Sequence, residues 1–291
     1  MPELPEVETI RRQLAPRLER AVLEEMEVLD PRWCEPAPPV EVADAVRGRR
    51  IERLERRGKY LSWRLEDEVY LVMHLRMTGN LLFVPPARDA AEEPRYVRVR
   101  FVLDSGAHVL FADARRFGTG VVLLGSEAHE AYFARRLGVE PLGPEFTADA
   151  LRALASGRRA PVKAFLLSQE RIAGVGNIYA DEALHRAHIH PLRPVGSLTR
   201  RQLAALRDAV IASLEAGIDA RGATIDDFRD VEGARGSFQD RFLVHRREGE
   251  PCPSCGRSIR KLRAAGRGTY VCERCQPRPR TPRRRGDLTS V

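Results

Sequence analysis

The 291-residue chain carries 49 Lys and Arg against 41 Asp and Glu, for a formal net charge of +8. That length admits two modest domains or one large one, and the basic balance points to a polyanionic partner without fixing a fold. No run approaches the about 20 apolar residues of a membrane-spanning helix. The acidic, proline-punctuated start, MPELPEVETIRRQ, is unlike a signal or transit peptide, so a soluble, cytoplasmic protein is expected.

Along the chain, Val7, Ile10, Leu14 and Leu18 recur at helical spacing, with Pro16 disturbing the helix near its end. The stretch from Pro31 to Pro39 is predicted as loop. From about Ile51 the period shifts to strands, in KYLSWRL, VYLVMHL, NLLFV, YVRVRFVL, HVLFAD and TGVVLL, which suggest a sandwich or barrel. Leu137–Pro144 reads as an inter-domain linker. Beyond it ADALRALAS, PVKAFLLSQ, GNIYADEALHRA and TRRQLAALRDAVIASLEAG read as helices. The final PRPRTPRRRGDLTSV is too polar and proline-rich to build a core.

Three features carry chemistry. Cys252, Cys255, Cys272 and Cys275 form two CxxC pairs separated by sixteen residues, and each pair suits a turn that aims two thiolates at one tetrahedral metal. Disulfides are the competing reading, which a cytosolic chain disfavours. The intervening segment alternates as a hairpin, and its Arg260, Lys261, Arg263 and Arg267 suit phosphate. At the other end, loss of Met1 would expose the secondary amine of Pro2, whose pKa of roughly 8 lies below that of lysine. Such an amine can attack an electrophilic carbon, with Glu3 and Glu6 nearby to move protons, or it can merely begin a rigid arm. Finally, only three of the 49 basic residues are lysines, namely Lys59, Lys163 and Lys261. A surviving lysine marks a place where an amine able to give up its proton is needed, or chance.

MPELPEVE, HLRMTG (His74 to Gly79), ARRFG (Ala114 to Gly118), GVGNIYADE (Gly174 to Glu182) and GEPCPSCG (Gly249 to Gly256) together resemble the formamidopyrimidine-DNA glycosylase family. The matches keep the family's order from residue 2 to about 276. The resemblance implies a multidomain α+β fold. It comprises an N-terminal catalytic β-sandwich with flanking helices (1–140), a helix–two-turn–helix DNA-binding domain (141–245), a zinc-finger hairpin (246–276) and a basic tail (277–291). One structural Zn2+ on the four cysteines is implied, as is a monomer acting on double-stranded DNA with damaged bases in a bacterial cytoplasm.

The resemblance also implies roles. Pro2 attacks C1′ of the damaged nucleotide, and Glu3 protonates the sugar ring oxygen. Lys59 donates a proton in β-elimination, and Arg267 serves δ-elimination and phosphate binding. A base inside the duplex must be flipped out, and Met77, Arg115 and Phe117 match the residues that fill the gap. His74, Tyr96, Arg158, Lys163 and Asn177 match positions that hold DNA, with Asn177 as a helix cap. The bland alternatives are core packing for Met77 and Phe117, a solvated turn for Lys59 and an ordinary cap for Asn177. The chain departs from the family pattern at Tyr96, where histidine is frequent, at Ala114, at Val244–Arg247 and at Ser237 in the expected base-capping loop. The PEVE start and ARRFG favour oxidised purines, such as 8-oxoguanine and formamidopyrimidines, over the oxidised pyrimidines of the endonuclease VIII type. A non-catalytic damage-binding zinc protein is a further alternative, which the presence of Pro2, Glu3 and Lys59 disfavours.

Overall fold

The computed structural model describes residues 2–86 and 94–279. Met1 and the expected basic tail from residue 280 lie outside the described residues. Helix α1 (Leu4–Leu18) opens with Pro5 in its first turn, where no backbone N–H is needed, and continues through Pro16. Eight antiparallel strands follow: β1 (Val22–Val28), β2 (Arg49–Arg57), β3 (Tyr60–Leu65), β4 (Val69–His74), β5 (Gly79–Val84), β6 (Val97–Leu103), β7 (His108–Asp113) and β8 (Thr119–Leu124). Their order is β5-β7-β6-β1-β2-β3-β4-β8.

This ladder folds on itself at its middle. β1 and β2 share only the pairs Val22–Arg50 and Leu23–Arg49, so two four-stranded halves hinge there. One core takes residues from both halves, including Phe101 and Phe111 on one side and Trp63 and Leu71 on the other. The Trp63 and Phe101 rings lie 4.9 Å apart across it. The expected sandwich is therefore a single sheet doubled over. Short helix α2 (Pro39–Val46) closes one end of this core, and α3 (Ser126–Ala134) packs on β8.

A second core gathers α4 (Ala148–Ala155), α5 (Val162–Leu167), α6 (Asn177–Arg186) and α7 (Arg200–Asp219). Helix α1 belongs to both: Leu4 lies in the helical core, whereas Val7, Ile10 and Leu14 lie in the sheet core. Phe228 and Val231 return the chain to the sheet core, and the Phe83 N–H bonds the Val231 carbonyl at 2.8 Å. The N-terminal helix is thus wedged between the two cores. Hairpin β9 (Arg260–Ala264) and β10 (Arg267–Val271) completes the structure. Among the described residues, no helix is long and apolar enough to cross a membrane.

Candidate active site and nucleic-acid interface

Pro2 and Glu3 are buried where α1 meets the N-terminus of α6. The Leu4 N–H bonds the Gly174 carbonyl at 3.1 Å, and the Ile178 N–H donates to Glu3 Oε1 at 3.1 Å. This seats a carboxyl group on a helix N-terminus, whose first amides have no partner within the helix. Gly176 makes the approach possible, because a Cβ there would fall 2.1–2.5 Å from the Glu3 carboxyl atoms. Glu3 Oε2 is buried and has no hydrogen-bond partner. A buried unpaired oxygen is costly, and such groups cluster where a reacting partner is to be met.

Glu6 has a different part from the proton exchange that its sequence position suggests. Its Oε2 accepts the Glu3 N–H at 2.8 Å, and its Oε1 accepts from the Tyr179 hydroxyl and the Ala223 N–H, both at 2.7 Å. Burial, and then the neighbouring Glu3 charge, raise its pKa. Glu6 is a buried clamp joining α1, α6 and the segment after α7.

Lys59 sits in the tight β2–β3 turn, whose Gly58 N–H bonds Glu140, while the guanidinium of Arg56 near the end of β2 bridges Glu8 and Glu140. Burial pushes the Glu8 carboxyl up, but hydrogen bonds from Arg11 and Arg12 and the charges of Arg11 and Arg56 outweigh it, to about 2. This ion-pair cluster anchors the turn. Lys59 itself is only 6% exposed, and among the described residues its ammonium has no hydrogen-bonding or ion-pair partner. Burial, and the charge of Arg267, lower its pKa, opposed by Glu3 and Glu6. An amine so placed gives up its proton more readily than an exposed lysine. It also sits within electrostatic reach of Glu3, Glu6 and Arg267 together.

His74 ends β4 opposite Tyr60, with ring centroids 4.5 Å apart. Burial, with the Arg76 and Lys59 charges, drives its pKa down to about 3. Its Nδ1 accepts the Arg76 N–H at 2.9 Å, so the proton of the neutral ring is on Nε2, which is left to donate.

The expected gap-filling residues are exposed: Met77 by 37% and Phe117 by 50%, with the Arg115 guanidinium 4.8 Å above the Phe117 ring. Tyr96 is 54% exposed and has a positive φ of 68°. Large exposed apolar side chains on tight loops are poor core packing and good wedges. The core alternative for Met77 and Phe117 is therefore set aside. Arg158 is exposed in the turn after α4, its Nε bonded to the Leu154 carbonyl at 2.7 Å.

Two sequence expectations need correction. Lys163, expected to hold DNA, is fully buried, and its ammonium reaches Asp181 Oδ1 and Thr269 Oγ1, each at 2.7 Å, and the Gly268 carbonyl at 3.3 Å. A lysine enclosed in this way has no face left for phosphate. Asn177, expected to cap α6, is the first residue inside the helix, and Gly176 is the cap. Its Nδ2 donates to the same Gly268 carbonyl at 3.1 Å. Both residues thus hold the hairpin beside Arg267, which stays exposed at its tip.

Sequence reasoning missed the partners in that joint. Asp181 also bonds His245 Nδ1 at 2.9 Å, and Glu182 accepts the N–H groups of Leu243, Val244 and His245 at 2.8–3.0 Å. His245, a departure from the family pattern, is thereby paired and buried. Two adjacent acids in the middle of α6, flanked by Ala180 and Ala183, were the available signal. Asp113 and Thr78, beneath the exposed loops, were missed as well.

The thiol sulfurs of Cys252, Cys255, Cys272 and Cys275 all lie within 4.8 Å of one another. Cys255 and Cys272 are 3.4 Å apart, and Cys252 and Cys275 are 3.9 Å apart. Zn–S bonds of about 2.3 Å in a tetrahedron require sulfur separations of this size, so the set fits zinc and forms no disulfide.

Comparison with known proteins matches three family models in order. They are the formamidopyrimidine-DNA glycosylase N-terminal domain over residues 1–120, its H2TH domain over 137–229, and the zinc finger found in FPG and IleRS over 249–278. The chain belongs to the formamidopyrimidine-DNA glycosylase family. It is 46% identical over 281 residues to a formamidopyrimidine-DNA glycosylase of Symbiobacterium thermophilum, covering 96% of this chain and 90% of that one. The Chloroflexus aggregans relative is also 46% identical, with 95% and 98% covered. Among solved structures, the MutM (FPG) protein of Thermus thermophilus superposes with a TM-score of 0.83 at 40% identity, covering 94% and 98%. A Lactococcus lactis FPG mutant in complex with Fapy-dG-containing DNA gives 0.88 at 31%, covering 95% and 100%. The four cysteines therefore hold one structural zinc.

Proposed function

We propose that this chain excises oxidised purines, 8-oxoguanine and formamidopyrimidines, and then cuts the strand at the resulting abasic site by β,δ-elimination. The coarser part follows from the family: a DNA glycosylase of base excision repair that acts on damaged DNA. The finer reading is supported by the unpaired oxygen of Glu3, next to Pro2, and by the charges of Glu3 and Arg267 acting on buried Lys59.

In this reading Pro2, freed of Met1, attacks C1′ as a secondary amine. The C1′–O4′ bond breaks as Glu3 delivers a proton to the ring oxygen through its unpaired oxygen, and the base leaves with the electrons of its bond to C1′ while the amine loses its proton. The iminium that follows acidifies C2′–H and makes the 3′ phosphate a leaving group. Lys59, with its lowered pKa, moves the proton at the sugar. Arg267 neutralises the phosphate and serves the second elimination. Met77, Arg115 and Phe117 fill the gap that the flipped base leaves, while His74, Tyr96 and Arg158 bind the backbone. Zinc stiffens the module that carries Arg267 and takes no part in the chemistry. The four-part division given above, a monomeric state and a cytoplasmic location belong to the same proposal.

Single-turnover excision from duplexes containing 8-oxoguanine, a formamidopyrimidine or an oxidised pyrimidine tests the reading. The two purine lesions should be removed fastest. Glu3→Gln should stop base removal while still cutting a preformed abasic site. Faster excision of the pyrimidine, or none of any base, would overturn the substrate assignment.

A further inference from the structure

Asp113, at the end of β7, is 1% exposed, and its carboxylate is shared between two loops. Oδ1 accepts from the Thr78 hydroxyl and from the Arg115 N–H at 3.1 Å; Oδ2 accepts the Phe117 and Gly118 N–H groups at 2.9 and 2.7 Å. The Arg115 N–H also reaches Thr78 Oγ1 at 3.2 Å. On the main chain, the Asp113 N–H donates to the Tyr96 carbonyl at 2.9 Å, and its own carbonyl accepts Arg98 Nε at 2.9 Å. Gly118 is tied to this arrangement, since a Cβ there would fall 3.1 Å from Asp113 Oδ2 and 2.5 Å from the Phe111 ring.

Thr78 directly follows Met77, and the amides bound to Asp113 belong to or adjoin Arg115 and Phe117. One buried carboxylate therefore fixes the roots of all three exposed side chains. A carboxylate is needed because all four donors point inward, and only an acceptor on both oxygens satisfies them. Short loops that expose a Met and a Phe to water have no packing of their own to define where those side chains stand.

We propose that Asp113 is a positioning residue that, through Thr78, locks the Met77 loop and the Arg115–Phe117 loop into one wedge, so that the two enter the duplex together. This rests on the reading of those three residues as gap-fillers. Its consequence is specific: loosening the lock should slow steps that require a base to be extruded and spare steps that do not.

Thr78→Val removes the hydroxyl bridge, including its contact with the Arg115 N–H, while keeping the shape and the amide contacts of residues 115–118 to Asp113. Thr78→Ser restores the hydroxyl. Asp113→Asn replaces one acceptor oxygen by a donor that faces other donors. Losing hydrogen bonds to a buried charged group in this way should slow single-turnover excision of 8-oxoguanine from duplex DNA by about tenfold or more. Cleavage of a preformed abasic site, where no base must be extruded, should slow far less, and Thr78→Ser should recover excision. Should Asp113→Asn fail to fold, Thr78→Val decides alone. Equal slowing on both substrates would reduce the network to a structural role, and full excision by Thr78→Val would overturn the proposal. If the unaltered protein excises no base at all, it is the proposed function that fails.

Discussion

Lys163 offers a sharp test because sequence and structure assign it different work. Its ammonium is fully buried between Asp181 and Thr269, and removing it by Lys163→Met leaves the Asp181 carboxylate enclosed with His245 as its remaining side-chain partner. Breaking one side of a buried ion pair costs about 3–5 kcal/mol. For a chain of 291 residues, at about 2.1 cal/mol/K of unfolding entropy per residue, that lowers Tm by about 5–8 °C if the loss is felt globally. The loss should concentrate at the joint between α6 and β10, so amide exchange at Thr269 and Tyr270 should accelerate first. Lys163→Met/Asp181→Asn should recover part of the loss, because no enclosed charge is left uncompensated. Calorimetry, hydrogen exchange and salt-dependent DNA binding on the three proteins provide the readout. A phosphate-binding Lys163 would instead leave Tm unchanged and flatten the slope of log K against log salt by about 0.9. That pairing of results would refute the anchor.

Other consequences can be checked in the same way. His74 is held neutral in the folded chain by a pKa pushed down to about 3, so the unfolded chain binds the extra proton at mildly acid pH. Its contribution is present above pH 6.5 and fades as pH falls toward 3; between pH 7 and pH 5 the loss should be about 2 kcal/mol. Denaturant titrations of His74→Gln should lack that component. Cys272→Ala, or removal of the zinc by chelator, should unfold the hairpin and abolish DNA binding while the eight-stranded sheet stays folded, since structural zinc in small modules contributes about 10–16 kcal/mol. Unchanged affinity would show that the hairpin does not grip DNA. Lys59→Arg should bind duplex normally but cut slowly, because guanidinium barely releases its proton. Arg267→Ala should instead weaken binding to damaged and undamaged DNA alike and flatten the salt slope by about one unit. Full cleavage by Lys59→Arg would make Lys59 only a cation.

The elements legible in the sequence were those with an unbroken period. β3 to β8 fell where the alternation placed them, and α4 to α7 where the helical spacing did. β1 was not legible because glutamates at 24, 25 and 27 blur its alternation, and its pairing with β6 shifts register between Leu23 and Glu25. β2 carries a similar shift between Ile51 and Arg53, and α2 was hidden behind the prolines at 36, 38 and 39. The cysteines and the Pro2–Glu3 start drew attention because their chemistry resides in the residues themselves, whereas Lys59 and Arg267 took their roles from the resemblance. Asp113, Asp181 and Glu182, and the clamping role of Glu6, were invisible for the opposite reason. Each is a buried carboxylate whose role is defined by backbone amides or side chains brought together from elsewhere in the chain. Sequence spacing cannot show which donors will converge on an acid, and for the same reason it could not separate Lys163, enclosed beneath the hairpin, from residues facing DNA.

The central claim is that Pro2 is the nucleophile, and borohydride reduction during reaction with an 8-oxoguanine duplex tests it most directly. Reduction should freeze the iminium as one covalent protein–DNA adduct, and protease mapping by mass spectrometry should place it on Pro2 of a chain lacking Met1. With only three lysines in the chain, at 59, 163 and 261, a competing amine would be identified without ambiguity. An adduct on Lys59, or efficient excision with no adduct at all, would contradict the account.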